Sequence, residues 1–128
     1  MTITEELTQY LYTIETFDKD SAQDGAALHG YLIQLTNYMA RANFLMAEYK
    51  RENRISKKNA YHKLAKGNHS KQPYFSPMLA KDYIDSVCDN SGYHYDLAER
   101  LSRSCVHTID VVRTIVSSLK SERQFLNY

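Results

Sequence analysis

Apolar residues recur along this chain with the periods of α-helices, and no run alternates as a strand would. Leu28, Leu32, Leu35, Met39, Ala42, Met46 and Tyr49 advance by gaps of 4, 3, 4, 3, 4 and 3, a heptad seam. Tyr31, Tyr38 and Leu45 form a second column beside it. The apolar face is therefore broad, as in a globular bundle rather than a two-stranded coil. The spacing predicts a helix from about residue 21 or 22 to Glu52. Gly30 sits inside it at a cost of about 1 kcal/mol against Ala. A close helix contact, or no role at all, are both open readings of that glycine.

A second heptad series lies near the other end. Leu101, Cys105, Thr108, Val112, Ile115 and Leu119 repeat at gaps of 4, 3, 4, 3 and 4, with Ala98 ahead and Ile109 and Val116 widening the face. They predict a helix from about Tyr93 to Phe125. Lys120 and Arg123 suit the negative end of its dipole. At the start of the chain, Leu7, Tyr10, Leu11, Ile14 and Phe17 mark a helix over about 4–17, and Thr2 with Glu5 has the form of a capping box. Ser76-Pro77 is a helix start, a hydroxyl cap followed by proline where no N–H is needed. Leu79, Tyr83, Ile84 and Val87 make the apolar face expected there. Asp89-Asn90-Ser91-Gly92 reads as its C-terminal stop, with one long kinked helix as the alternative.

Together these elements imply one all-α domain over 1–128, an antiparallel four-helix-type bundle with two long heptad-patterned helices. The 128 residues suit one modest core. Only four Gly and two Pro argue against a turn-rich β-sandwich. The first 20 residues hold no positive region followed by an apolar run, so no secretory leader is expected. The charge-free stretch 25–40 is shorter than the roughly 20 apolar residues of a membrane span. The expected setting is the cytoplasm, without membrane contact. On helices joined by a turn near Gly92, Cys88 and Cys105 stand about 16 Å apart in height. A disulfide needs Cα atoms within about 7 Å, so reduced thiols are expected.

The charge is uneven although sixteen bases nearly balance fifteen acids. Lys50, Arg51, Arg54, Lys57, Lys58, Lys63, Lys66 and Lys71 face a single acid, Glu52, within residues 50–76. This stretch reads as a basic connector, with a short helix from a Ser56 cap to Leu64 or Ala65 and a loop over 68–76 containing Pro73. Clustered cations bind phosphate backbones, and unpaired bases stack on aromatic rings. Tyr61 and Tyr74 stand among these cations, with His62, His69 and Phe75. RNA or DNA is thus one expected partner. The first 24 residues carry six acids and one base. They offer a complementary surface, so a protein partner, or the same segment of another copy in a homo-oligomer, is the other.

Catalytic patterns are sparse. No Glu-x-x-His occurs, so a ferritin-like metal pair is not expected. His107-x-x-Asp110 and Asp82-x-x-Asp85 read as surface polar residues, and the two cysteines lack a Cys-x-x-Cys partner for zinc. No metal or other cofactor is expected. Cys105 and His107 diverge by about 200° on a helix, which leaves Cys105 as a buried thiol rather than half of a dyad. Arg100 and His107, in Arg-Leu-Ser-Arg-Ser-Cys-Val-His, loosely resemble the Arg-x(4–6)-His motif of the HEPN ribonucleases, which are small helical bundles. That resemblance implies His107 as acid/base or 2′-hydroxyl contact and Arg100 as phosphate-side cation. The polar residue usual after the arginine is Leu101 here.

The stretches Leu97-Ala98-Glu99-Arg100-Leu101, His107-Thr108-Ile109-Asp110, Arg113-Thr114-Ile115-Val116-Ser117 and Leu119-Lys120-Ser121-Glu122-Arg123 resemble small helical proteins of phage and prophage genomes. Met39-Ala40-Arg41-Ala42 and Met46-Ala47-Glu48 are similar. The resemblance implies a mobile-element setting in a host cytoplasm and no catalytic residue. The expected role is a non-enzymatic accessory or structural protein acting by protein binding or self-assembly. Nucleic-acid binding through residues 50–75 is the alternative, and a HEPN-like ribonuclease a further one.

Overall fold

The computed structural model describes residues 1–17, 25–67 and 76–126, which form four α-helices and no strand. They are α1 (Ile3–Glu15), α2 (Gly25–Gly67), α3 (Pro77–Val87) and α4 (Asp89–Leu126). The fold class is all-α, as the periodicity implies. Two compact units divide the chain: Met1–Phe44 with Leu97–Tyr128, and Leu45–Asp96.

In the first unit α1 begins as its sequence dictates. Glu5 N–H donates to Thr2 Oγ1 and Thr2 N–H donates to Glu5 Oε2, both at 3.1 Å, completing the capping box. Thirteen residues make a marginal helix in water, so α1 depends on what it packs against. Leu7 is fully buried. Glu6 pairs with Arg41, Tyr10 stacks on Tyr38 with ring centroids 4.2 Å apart, and Phe17 stacks on Tyr31 at 3.6 Å. Numbers that rise along α1 meet numbers that fall along α2, so the two are antiparallel. Phe17 makes its contact from beyond the helix end, which lies at Glu15 rather than at residue 17.

Among the described residues of this unit, the buried ones are Leu7, Leu28, Tyr31, Leu35, Ala42, Ala98, Leu101, Cys105, Thr108, Ile109 and Val112. On α4 they follow the predicted seam. On α2 the centre of the face is rotated from the expected one. Tyr31 is buried with Leu28, Leu35 and Ala42, whereas Leu32 and Met39 are only half-buried. The Tyr31 ring is covered by Phe17, stacked on it at 3.6 Å, and the neighbouring edge positions stay nearer solvent. The Tyr31 hydroxyl is buried without a hydrogen-bond partner among the described residues. Burial pushes its pKa up from the ordinary tyrosine value.

In the second unit the expected break near Glu52 is absent. Helix α2 continues through the basic segment, and the connector with its own Ser56 cap is replaced by unbroken helix. Two physical reasons account for this. No Gly or Pro stands between Tyr31 and Lys66. The inward face also persists: Tyr49 and Ala60 are buried, and Asn53, Ser56 and Leu64 half-buried, at gaps of one helical turn. Ala60 clusters with Ile84 of α3 and Cys88, and Leu64 packs against that cluster. Tyr49 stacks on His94 of α4 at 4.8 Å.

Helix α3 starts at the predicted cap, where Leu79 N–H donates to Ser76 Oγ at 3.2 Å. Its predicted apolar face is only partly used. Ile84 is buried, but Leu79 is 55% exposed, Val87 48% and Tyr83 38%. The expected stop at residues 89–92 is the first turn of α4, which starts at Asp89 rather than Tyr93. A single residue, Cys88, separates the two helices. Its carbonyl accepts from Gly92 N–H at 2.9 Å and lies 3.0 Å from Ser91 Oγ, which also lies 3.3 Å from Asn53 Oδ1. Among the described residues no glycine has positive φ, so Gly92 does not act as a left-handed cap. Asp89 instead suits the positive end of α4.

Two substitutions test this description by chemical denaturation followed by circular dichroism. Lys57→Pro lowers stability by about 3 kcal/mol, because it falls inside a continuous helix. Were Lys57 the first residue of a separate helix, proline would be tolerated there. Gly30→Ala raises stability by about 0.5–1 kcal/mol, since an added Cβ at Gly30 meets nothing within 4 Å. A loss of stability in that variant would mean a close contact at Gly30.

Candidate functional site

The basic residues of α2 are sorted by the helix into faces. Lys50, Arg54, Lys57, Lys58 and Tyr61 follow at gaps of 4, 3, 1 and 3, which puts them on one side. Arg51 and His62 border that stripe. All seven are exposed, and Tyr61 is 62% exposed. The stripe is about 17 Å long at about 1.5 Å per residue. Lys63 and Lys66 are exposed as well but turn away from it, by about 200° and 140° from Tyr61. The predicted contact residues are therefore not one patch. Lys71 and Tyr74 lie outside the described residues.

Among the described residues no ion pair involves a cation of this segment; the pairs are Arg41–Glu6 and Arg103–Glu99. Ala60 and Leu64, which pack against Ile84 and Cys88, lie on the adjoining side of the same helix, about 100° and 60° from Tyr61, so the stripe borders the packed side. Lys57 also lines a polar cleft with Asn53, Asp85, Asp89 and Asp96. It stands where the stripe meets the acidic start of α4.

The acidic first segment is less available than its composition implies. Glu5 belongs to the capping box. Glu6 accepts from Arg41 Nε at 2.9 Å and Nη2 at 3.3 Å, and from the Tyr10 hydroxyl at 2.9 Å. The Arg41 hydrogen bond is the main cause that holds the Glu6 carboxyl below its ordinary value, against burial, which raises it. Burial and the bond to Glu6 push the Tyr10 hydroxyl up. Asp18, Asp20 and Asp24 lie outside the described residues.

Arg100 and His107 are both exposed on α4. Arg100 lines a groove with Leu97 and Ser104 of its own helix and Leu11, Tyr12 and Glu15 of α1. His107 is not among the groove's residues, so the two members of the motif do not share that concavity. Cys105 is fully buried, and burial pushes its thiol up to about 11. The thiolate is the nucleophilic form, so Cys105 stays an inert thiol at neutral pH. Cys88 is likewise buried, and both thiols are free. Among the described residues no group of three His, Cys, Asp or Glu side chains is arranged to hold a metal, and no helix is long and apolar enough to cross a membrane.

Reading by sequence missed one surface. Leu79, Tyr83 and Val87 make an exposed apolar side of α3, and Met78, 75% exposed, stands apart from it about 100° round the helix from Leu79. Their period was legible; which of two adjacent faces is covered was not. No family model, curated protein or solved structure matches the chain.

The Glu6–Arg41 pair yields a pH test. A lowered carboxyl pKa adds stability above the unfolded value, near 4.5, and that stability is lost as pH falls through the folded value. Glu6→Gln is expected to cost about 1 kcal/mol at neutral pH, since Arg41 is partly solvated. The gap from wild type closes as pH drops below 4.5. Urea denaturation at a series of pH values reads both.

Proposed function

We propose that this chain is a non-enzymatic binding protein that holds nucleic acid on the basic stripe of α2. One observation carries the reading: an exposed line of cations on an unbroken helix, none in an ion pair among the described residues. Lysine and arginine so arranged neutralise successive phosphates and release their counterions. Affinity then comes from charge and depends weakly on sequence. The arrangement offers no motif for reading base edges in a groove.

A protein partner is the second reading, supported by the exposed apolar side of α3 at Leu79, Tyr83 and Val87. Self-assembly through the acidic first segment has less support, because Glu5 and Glu6 are engaged within their own unit. A ribonuclease role for Arg100 and His107 draws on their spacing alone. The resemblance of the long helices to phage-encoded proteins supports an accessory role in a mobile-element setting, and an antiparallel bundle is the arrangement that suits these helices.

The test is fluorescence anisotropy with labelled RNA and DNA oligonucleotides at about 50 and 200 mM salt. Four or five phosphate contacts imply a log–log slope of about −3 to −4.5, or a weakening of roughly 50- to 500-fold over that range. Arg54→Glu with Lys58→Glu, which leaves the cleft residue Lys57 in place, weakens binding at low salt and flattens the slope. Binding untouched by the double variant removes the stripe from the proposal. No binding by the wild type at 50 mM leaves the protein-partner reading.

A further inference from the structure

The stripe holds one residue that charge does not explain. Tyr61 lies on the same side as Lys50, Arg54, Lys57 and Lys58, with Lys57 four residues and Lys58 three residues before it. Those intervals place a cation one turn away on either flank of the ring's own line. The ring is 62% exposed, whereas Tyr49 on the same helix is buried against His94. Tyr61 is not a member of the neighbouring cluster of Ala60, Leu64, Ile84 and Cys88, although Leu64 stands one turn after it. The helix therefore presents a flat aromatic surface amid a track of cations.

A duplex meets such a surface with phosphates, and its bases already stack on one another. An unpaired strand meets it with both phosphates and free base faces. We infer that the stripe takes single-stranded RNA or DNA in preference to duplex, with Tyr61 as the ring on which a base stacks and Lys57 and Lys58 on the flanking phosphates. This rests on the reading of the stripe as a nucleic-acid surface. One ring and its neighbouring cations cover few nucleotides, and every base has a face to offer, so the preference is for unpaired strand rather than for sequence.

The test uses the full chain, a labelled non-self-complementary oligonucleotide of about 15 nucleotides, a site length within the range of known single-strand modules, and the matching duplex, in RNA and DNA. Tyr61→Ala, at an exposed position outside the buried cluster, is expected to weaken single-strand binding about tenfold. Duplex affinity should stay within about twofold, and the salt slope should not move, because no charge is lost. Tyr61→Phe keeps the ring and should retain single-strand binding. An unchanged single-strand affinity in Tyr61→Ala, or an equal loss on both forms, overturns the stacking role while the charge-based reading stands. No binding of either form by the wild type overturns both. A circular dichroism spectrum identical to wild type excludes unfolding of the variant.

Discussion

A helix of 43 residues persists only where one side of it is covered along the way. That requirement on α2 governs most of the molecule. In the first unit Tyr31, Leu35 and Ala42 are buried, with α1 against the helix through Tyr10 and Glu6 and the residue Phe17 just beyond its end. In the second unit Ala60 and Leu64 meet Ile84 and Cys88, and Tyr49 meets His94. Because the inward positions suffice, the outward ones are free to carry whatever the surface needs. The basic stripe is the outward consequence of an inward continuity.

The same relation explains what was legible from the residues and what was not. The Thr2–Glu5 box and the Ser76-Pro77 start are local devices, complete within four residues, and both form as read. The seam Leu101, Cys105, Thr108, Val112 is also the buried one. Residues 50–66 misled because their composition changes on the solvent side, where it has no bearing on whether the helix continues. The inward positions Asn53, Ser56 and Ala60 are small or polar, so the apolar rhythm fades although the burial does not. Asp89-Asn90-Ser91-Gly92 misled for another reason. Asp, Asn and Ser serve equally at a helix start, and a glycine signals a stop only when it takes positive φ.

The candidate site was legible as chemistry and not as shape. Clustered cations with interleaved aromatics are visible in any reading of residues 50–75. Their division is not, because it needs the helix to be continuous. Once it is, Lys50, Arg54, Lys57, Lys58 and Tyr61 fall together, and Lys63 and Lys66 fall elsewhere. For α3 the limit is different. Leu79, Tyr83 and Val87 have a helical period, yet a period does not say whether a partner element lies on that side. The buried Ile84 and the exposed Val87 are three residues apart on one short helix.

A line of cations on a helix is not a neutral choice. Lys50 and Arg54, and Arg54 and Lys58, are like-charged pairs four residues apart, and Arg54 and Lys57 are three apart. Each such pair destabilises an isolated helix by a few tenths of a kcal/mol. Glutamate at either member would turn the repulsion into attraction at no loss of helix propensity. Along the helix itself the arrangement therefore bears a small cost, although Lys57 faces acids across the cleft at Asp85, Asp89 and Asp96. The repulsion is relieved when an anion of matching length lies along the stripe, and a phosphate backbone has that charge and that extension. On the proposed reading, the like-charged spacing along α2 is set by the ligand rather than by the helix.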